Sequence, residues 1–163
     1  MTQIKPPQDG RAYDEAMHEE RRQTRQLLSP GAAVGVTESM ITALVHAFYA
    51  KIRREPELGP IFETAIGDHW DEHLAKLCDF WSSILLTTGR YKGAPIPVHL
   101  ALPKIEGAHF ARWLELFSET AEELWSSEAA ALVVARANMI AKSLQYAISA
   151  SRGELINGLT SRS

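Results

Sequence analysis

The sequence predicts a single all-helical domain. Three observations carry that expectation. Apolar residues recur every three or four positions through most of the chain, the period of a helix with one face turned inward. Glycine and proline clusters interrupt that period at intervals. No stretch alternates apolar and polar residues for long enough to make a strand. With 163 residues, the chain has one domain's length and can bury roughly 70% of the surface its unfolded form exposes.

The interruptions fall at Ser29-Pro30-Gly31, from Pro56 to Pro60, at Gly67-Asp68, from Gly89 to Pro103, at Gly107, at Ser126-Ser127 and at Gly153. The stretch from Gly10 to Leu28 is dense in charge (His18, Glu19, Glu20, Arg21, Arg22) and poor in apolar anchors. It is expected as an exposed helix within an N-terminal extension, residues 1–36. Residues 37–153 form the main domain and 154–163 a flexible tail. In the main domain Thr37 is the expected N-cap of the first helix, because its hydroxyl can accept a free amide of the opening turn. Ile41, Leu44, Val45, Phe48, Tyr49 and Ile52 make its inward stripe, and Pro56 stops it. Asp68 is the expected cap of a second helix running to about Thr88, with Gly89 as its end signal. Its stripe holds Trp70, His73, Leu74, Leu77, Phe80, Trp81, Ile84 and Leu85. A third helix, from about Ala108 to Trp125, aligns Phe110, Trp113, Leu114, Phe117, Ala121, Leu124 and Trp125. A fourth, from about Glu128 to Ser151, turns Leu132, Ala135, Met139, Ile140, Leu144, Ala147 and Ile148 inward. Four such helices suit a bundle or a globin-like arrangement.

Composition removes several classes of function. Hydrophobic residues at 45% and charged residues at 23% are near the globular average, which excludes a disordered or fibrous chain. The net charge of -3 argues against nucleic acid or an anionic membrane as partner, since both need surplus positive charge. Cys78 is the single cysteine, so no intrachain disulfide forms. The start MTQIKPPQDG has no apolar signal-peptide core, and no apolar run approaches the ~20 residues that span a bilayer. A cytoplasmic protein is expected.

The connection RYKGAPIPVHLALPKIEG between the second and third helices is longer than an up-and-down bundle needs. Its apolar residues Ile96, Val98, Leu100 and Leu102 alternate with prolines, which fits an ordered loop lying on the core. His99 stands in its middle, held in direction by Pro95, Pro97 and Pro103. It is either a solvent-facing loop histidine or a ligand of a metal or haem iron. His73, on the stripe of the second helix, is either a core histidine satisfied by a hydrogen bond or the edge of a ligand pocket. His69, four residues earlier, raises a zinc alternative. The general-base position of an H-E-x-x-H motif is occupied by Trp70, so a zinc protease is disfavoured. Tyr49 and Trp113 each read as core aromatics whose polar tips need partners. Taken with His73, they place polar-tipped rings on three helices opposite the rigid loop. Nucleophilic catalysis has little support: Cys78 projects away from its helix's stripe, and no serine elbow or phosphate loop exists. Asp71, Glu72, Glu122 and Glu123 read as solvated faces. No C-x-x-C-H is present, so covalent haem attachment of the c type is excluded.

Several segments carry a family resemblance. They are Phe48-Tyr49, LGPIF (Leu58 to Phe62), AIG (Ala65 to Gly67), Trp70-x-x-His73, Phe80-Trp81, GRYKGAPIPVHLALP with His99, and Trp113. Across roughly Thr37 to Ser151 the chain resembles the truncated haemoglobins of the third group, a bacterial globin family. The resemblance implies a two-over-two helical sandwich around a b-type haem. It makes His99 the proximal iron ligand and metal-binding residue, with Tyr49, His73 and Trp113 as the distal set. It places Phe48, Phe62, Leu77, Phe80 and Trp81 on or near the porphyrin, with Lys76 as a candidate propionate contact. The implied partners are diatomic gases (oxygen, nitric oxide, carbon monoxide) and, for catalytic turnover, a reductase. The function implied is oxygen binding or transport, or nitric oxide and reactive-oxygen chemistry. The alternatives are a nitric oxide dioxygenase or peroxidase-like enzyme, or a sensor whose N-terminal extension touches a second protein.

Overall fold

A computed structural model describes residues 10–93 and 106–151. Every regular element among them is an α-helix: α1 (Gly10–Leu27), α2 (Pro30–Ala33), α3 (Glu38–Arg54), α4 (Leu58–Ile66), α5 (Trp70–Leu86), α6 (Gly107–Leu124) and α7 (Ser127–Ser151). The central element is α3, which packs on α4, α5 and α6, while α6 packs along α7. Two helix pairs, α3 with α5 and α6 with α7, thus lie one over the other. No described helix is long and apolar enough to cross a membrane.

The α3 stripe matches the periodicity residue for residue. Ile41, Leu44, Val45, Phe48, Tyr49 and Ile52 are all buried. The Thr37 hydroxyl caps the helix by accepting from the Met40 amide at 3.3 Å. The Trp125 indole, at the end of α6, donates to the Met40 carbonyl at 3.2 Å and fastens α6 to the start of α3.

Three expectations about helix ends are corrected. The proline-marked stretch after Pro56 is not a plain loop: α4 begins at Leu58, and Pro60 sits in its first turn, where a missing N–H costs little. Glu55 supplies the start signal, its carboxylate accepting from the amides of Glu57 and Leu58, both at 2.8 Å. Gly59 is required there by a close approach, because a Cβ would lie 2.7 Å from the Arg53 carbonyl oxygen. The N-cap position of α5 is His69 rather than Asp68, with no side-chain cap bond. That helix ends before Gly89, at Thr87, which takes the left-handed conformation (φ 52). A threonine is unusual there; its hydroxyl donates to the Arg25 carbonyl at 2.9 Å, tying the end of α5 to the end of α1.

The register of α7 also differs from expectation. Ala135 and Met139 face solvent, Met139 at 62% exposure. The inward row is Ala130, Val133, Ala137, Ala141, Leu144 and Ile148. Alanines lie on both faces of α7, so apolar character alone does not mark the buried one. Close contact with α6 selects the small residues. Leu124, expected inward, lies half exposed at the last turn of α6. Cys78 is half-buried against the core rather than projecting away from it. Burial pushes its thiol above the ordinary value, which keeps it a weak nucleophile. Helix α1 buries none of its residues. The tail 154–163 lies outside the described residues.

Candidate functional site

Among the described residues the hydrophobic core divides into two clusters. The larger surrounds α3 and contains Phe48, Tyr49, Leu58, Phe62, Trp70, Trp81 and Phe117. The smaller comprises Phe110, Ala141, Leu144 and Ile148 on α6 and α7. Leu114 and Ile140 touch both. A small domain ordinarily closes around one contiguous core. Here a cavity of about 190 Å³, partly open to solvent, takes its walls from both clusters.

Most of that lining is apolar: Leu58, Phe62, Leu77, Phe80 and Trp81 on one side, Phe110, Ile140, Ala141 and Leu144 on the other. Tyr49, His73 and Trp113 supply polar tips, and Lys76, Tyr91 and His109 supply others. The sequence-expected trio is therefore brought together from α3, α5 and α6. Tyr49 is 5% exposed. Its ring lies 5.6 Å from that of His73 at 88°, an edge-to-face contact. Burial holds its phenol well above the ordinary value, and a hydrogen bond from the Trp113 indole pulls the other way. The phenol therefore keeps its proton at any physiological pH and remains a potential donor. Trp113 is itself stacked on Phe117, 5.3 Å apart at 9°.

Phe48 stands one layer behind this wall. Its ring meets Tyr49 at 4.8 Å, Trp113 at 5.1 Å and Phe117 at 5.1 Å, each edge-on. It sets the directions of two polar-tipped rings without lining the cavity. Lys76 is exposed and reaches the cavity from the flank of α5. His99, with Pro95, Pro97 and Pro103, lies outside the described residues. His69 does not share the surroundings of His73: its side chain is 76% exposed, with Nδ1 3.7 Å from the Glu72 carboxylate.

Sequence reasoning missed part of the site. Trp70, read as a stripe residue and part of the Trp70-x-x-His73 segment but given no place in the site, meets both Tyr49 (6.1 Å) and His73 (5.9 Å, 89°). Its indole donates to the Glu63 carboxylate at 3.2 Å, and the Arg53 guanidinium lies 4.5 Å over its ring. Arg53 and Glu63 are joined at 2.7 Å. The Arg53 bond first, then the Trp70 bond, holds the Glu63 carboxyl below its ordinary range. Tyr91 extends the wall by an edge contact with Phe80 at 5.2 Å. His109 closes the start of α6, its Nδ1 accepting from the Glu106 amide at 2.9 Å. That bond leaves Nε2 as the protonated nitrogen of the neutral ring. A lone histidine beside Gly107 carries no periodic signal, whereas the spacing from Glu106 to His109 is that of a capping box.

The cavity fits a flat, largely apolar cofactor. It lies between two hydrophobic clusters that Leu114 and Ile140 bridge, so an apolar plate inserted there would extend the core. Polar side chains reach it at a few points, enough to orient a polar ligand on one face.

No protein-family model matches the chain. A curated relative, the group 3 truncated hemoglobin ctb of Campylobacter jejuni, is 39% identical over 113 residues, covering 68% of this chain and 89% of its own. The crystal structure of a group III truncated hemoglobin from Campylobacter jejuni superposes with a TM-score of 0.67 at 38% identity. That match covers 69% of this chain and 91% of the solved one.

Proposed function

From the premise that this chain belongs to the group III truncated haemoglobins, and is a globin haem protein, we propose that it binds oxygen or nitric oxide at a b-type haem in the cavity between its two core clusters. The divided core carries this reading: apolar walls from α3, α4 and α5 face apolar walls from α6 and α7 across one cavity. When bound, the haem supplies a ferrous iron able to take a diatomic gas. His99 is the proposed protein ligand to that iron, from the proline-rich sequence between α5 and α6.

Tyr49, His73 and Trp113 are the proposed distal set. Tyr49 holds its proton because it is buried, so it acts as a neutral donor. The Trp113 indole lines the same wall, and both rings rest edge-on against Phe48. Phe62, Leu77, Phe80 and Trp81 supply apolar contact area, with Phe48 behind them. Lys76, exposed beside the cavity, is the proposed partner of a cofactor carboxylate. Catalytic use of the same site, as a nitric oxide dioxygenase or peroxidase, would need a reductase or another source of electrons, and the proposed setting for either role is the cytoplasm.

An optical titration tests the proposal. Haemin added to the purified chain should give a one-to-one Soret band, and the reduced form should shift with carbon monoxide. His99→Ala should bind haemin more weakly, and added imidazole should restore the ferrous spectrum. Absence of a Soret band from the unaltered chain overturns the reading. An unchanged ferrous spectrum in His99→Ala, with loss of it in His73→Ala, reverses the two sides.

A further inference from the structure

Trp70 is held more tightly than an opening helical residue requires. It begins α5, is 7% exposed, and is gripped by side chains from two other helices. The Glu63 carboxylate of α4 accepts its indole N–H at 3.2 Å. The Arg53 guanidinium of α3 covers its ring at 4.5 Å and bonds the other Glu63 oxygen at 2.7 Å. Each member of this trio thus touches the other two. The remaining edges of Trp70 meet the rings of Tyr49 and His73, which meet each other. His73 follows Trp70 by one helical turn, so a displacement of Trp70 moves the backbone of His73 as well as its neighbour.

We propose that Arg53, Glu63 and Trp70 form a clamp that fixes the orientations of Tyr49 and His73, making them positioning residues for the gas-binding face of the cavity. This inference rests on the functional reading above. An ion pair at the surface ordinarily contributes little. Here the pair braces a buried ring whose other side is the cavity wall, so its effect appears in ligand discrimination more than in stability. A hydrogen bond to a gas depends on direction as well as distance, and a tilted phenol or imidazole weakens it without changing the apolar walls. Lys51 provides the matching control. It joins α3 to α6 through Glu123 at 3.0 Å and Glu119 at 3.8 Å, an inter-helix ion pair that does not include Trp70, Tyr49 or His73.

The test compares Glu63→Ala, Glu63→Gln, Arg53→Gln, Trp70→Phe and Lys51→Gln in the full chain. In the haem-loaded ferrous form, Glu63→Ala should raise the ratio of oxygen to carbon monoxide dissociation rates by about two- to tenfold, the equivalent of one weakened hydrogen bond. The C–O stretch of its carbon monoxide form should split or broaden. Glu63→Gln, which keeps an acceptor for the Trp70 indole, should recover part of the effect, and Lys51→Gln should match the unaltered protein. Before haem is added, the His73 and Tyr49 ring resonances should shift or broaden in Glu63→Ala and Trp70→Phe and stay unchanged in Lys51→Gln. If Glu63→Ala does not fold, Arg53→Gln and Trp70→Phe carry the same expectations. Ring resonances and dissociation ratios equal to those of the unaltered protein in all clamp variants overturn the inference. A missing Soret band in the unaltered chain overturns the functional reading instead, and the ring resonances then decide the clamp alone.

Discussion

The two hydrophobic clusters on either side of the cavity are built differently. The cluster around α3 is rich in aromatic rings: Phe48 alone meets three others edge-on, and Trp81 and Trp113 both stack on Phe117. Hydrogen bonds and an ion pair brace it from outside through Trp70, Glu63 and Arg53. The cluster of Phe110, Ala141, Leu144 and Ile148 has one ring among four residues. The difference teaches a division of labour. The α3 side can hold polar groups in fixed directions because many contacts define each ring. The other side supplies shape and apolar area.

The largest expected effect tests the aromatic hub. Phe48→Ala removes a ring that is 1% exposed and should cost about 3–5 kcal/mol of stability, read by urea denaturation. A much smaller loss would mean that the neighbouring rings collapse into the space and that the hub is not rigid. The next tests polar direction on the same side. Tyr49→Phe keeps the ring and deletes the hydroxyl. Hydrogen bonds to charged groups are worth about 1.5–3 kcal/mol, so oxygen should dissociate roughly ten- to a hundredfold faster. Carbon monoxide, less polar when bound, should change far less. Equal acceleration for both gases would make Tyr49 a packing residue only.

A smaller, matched pair compares the clusters directly. Ile52→Val and Ile148→Val each delete one methylene, from sites 0% and 6% exposed. Such changes cost about 0.5–1.5 kcal/mol. Ile52→Val should fall at the upper end and Ile148→Val at the lower, both measured without haem. Equal costs would erase the distinction between the ring-rich and the ring-poor cluster.

The smallest effect concerns pH. Amide bonds from Leu58 and Glu57, with Arg112 nearby, hold the Glu55 carboxyl below its ordinary value of 4.5. A carboxyl depressed on folding stabilises the native state above its unfolded value, and that contribution disappears as the pH falls through the folded one. Thermal stability should therefore decline below about pH 4.5, and Glu55→Gln should flatten part of that decline. An unaltered acid limb would mean that the Glu55 carboxylate contributes nothing to the start of α4.

Much of this architecture is legible in the residues themselves. The α3 stripe is fully determined by its period, because its large apolar side chains all fall on one face, opposite small or polar residues such as Thr42, Ala43, His46 and Ala47, so only one face can be buried. The gathering of Tyr49, His73 and Trp113 follows from the same logic, since each lies on the inward face of its own helix. The signal fades where side chains are small or where special backbone decides. Alanines on both faces of α7 leave its rotation open, and contact with α6 chose Ala137 and Ala141 for the interior. Pro56 and Pro60 look like a loop until the Glu55 carboxylate caps α4.

Tertiary structure alone decided the clamp and the division of the core. Arg53, Glu63 and Trp70 are ordinary surface or stripe residues one by one, and no periodicity links positions on three helices. Their relation is a matter of distance across the fold, and so is the cavity, which exists because α6 and α7 pack against each other and leave a space beside α3 and α5. Sequence periodicity fixes which way each side chain faces along its own helix. What it faces depends on the placement of other helices, and that is set by the summed burial of all of them together.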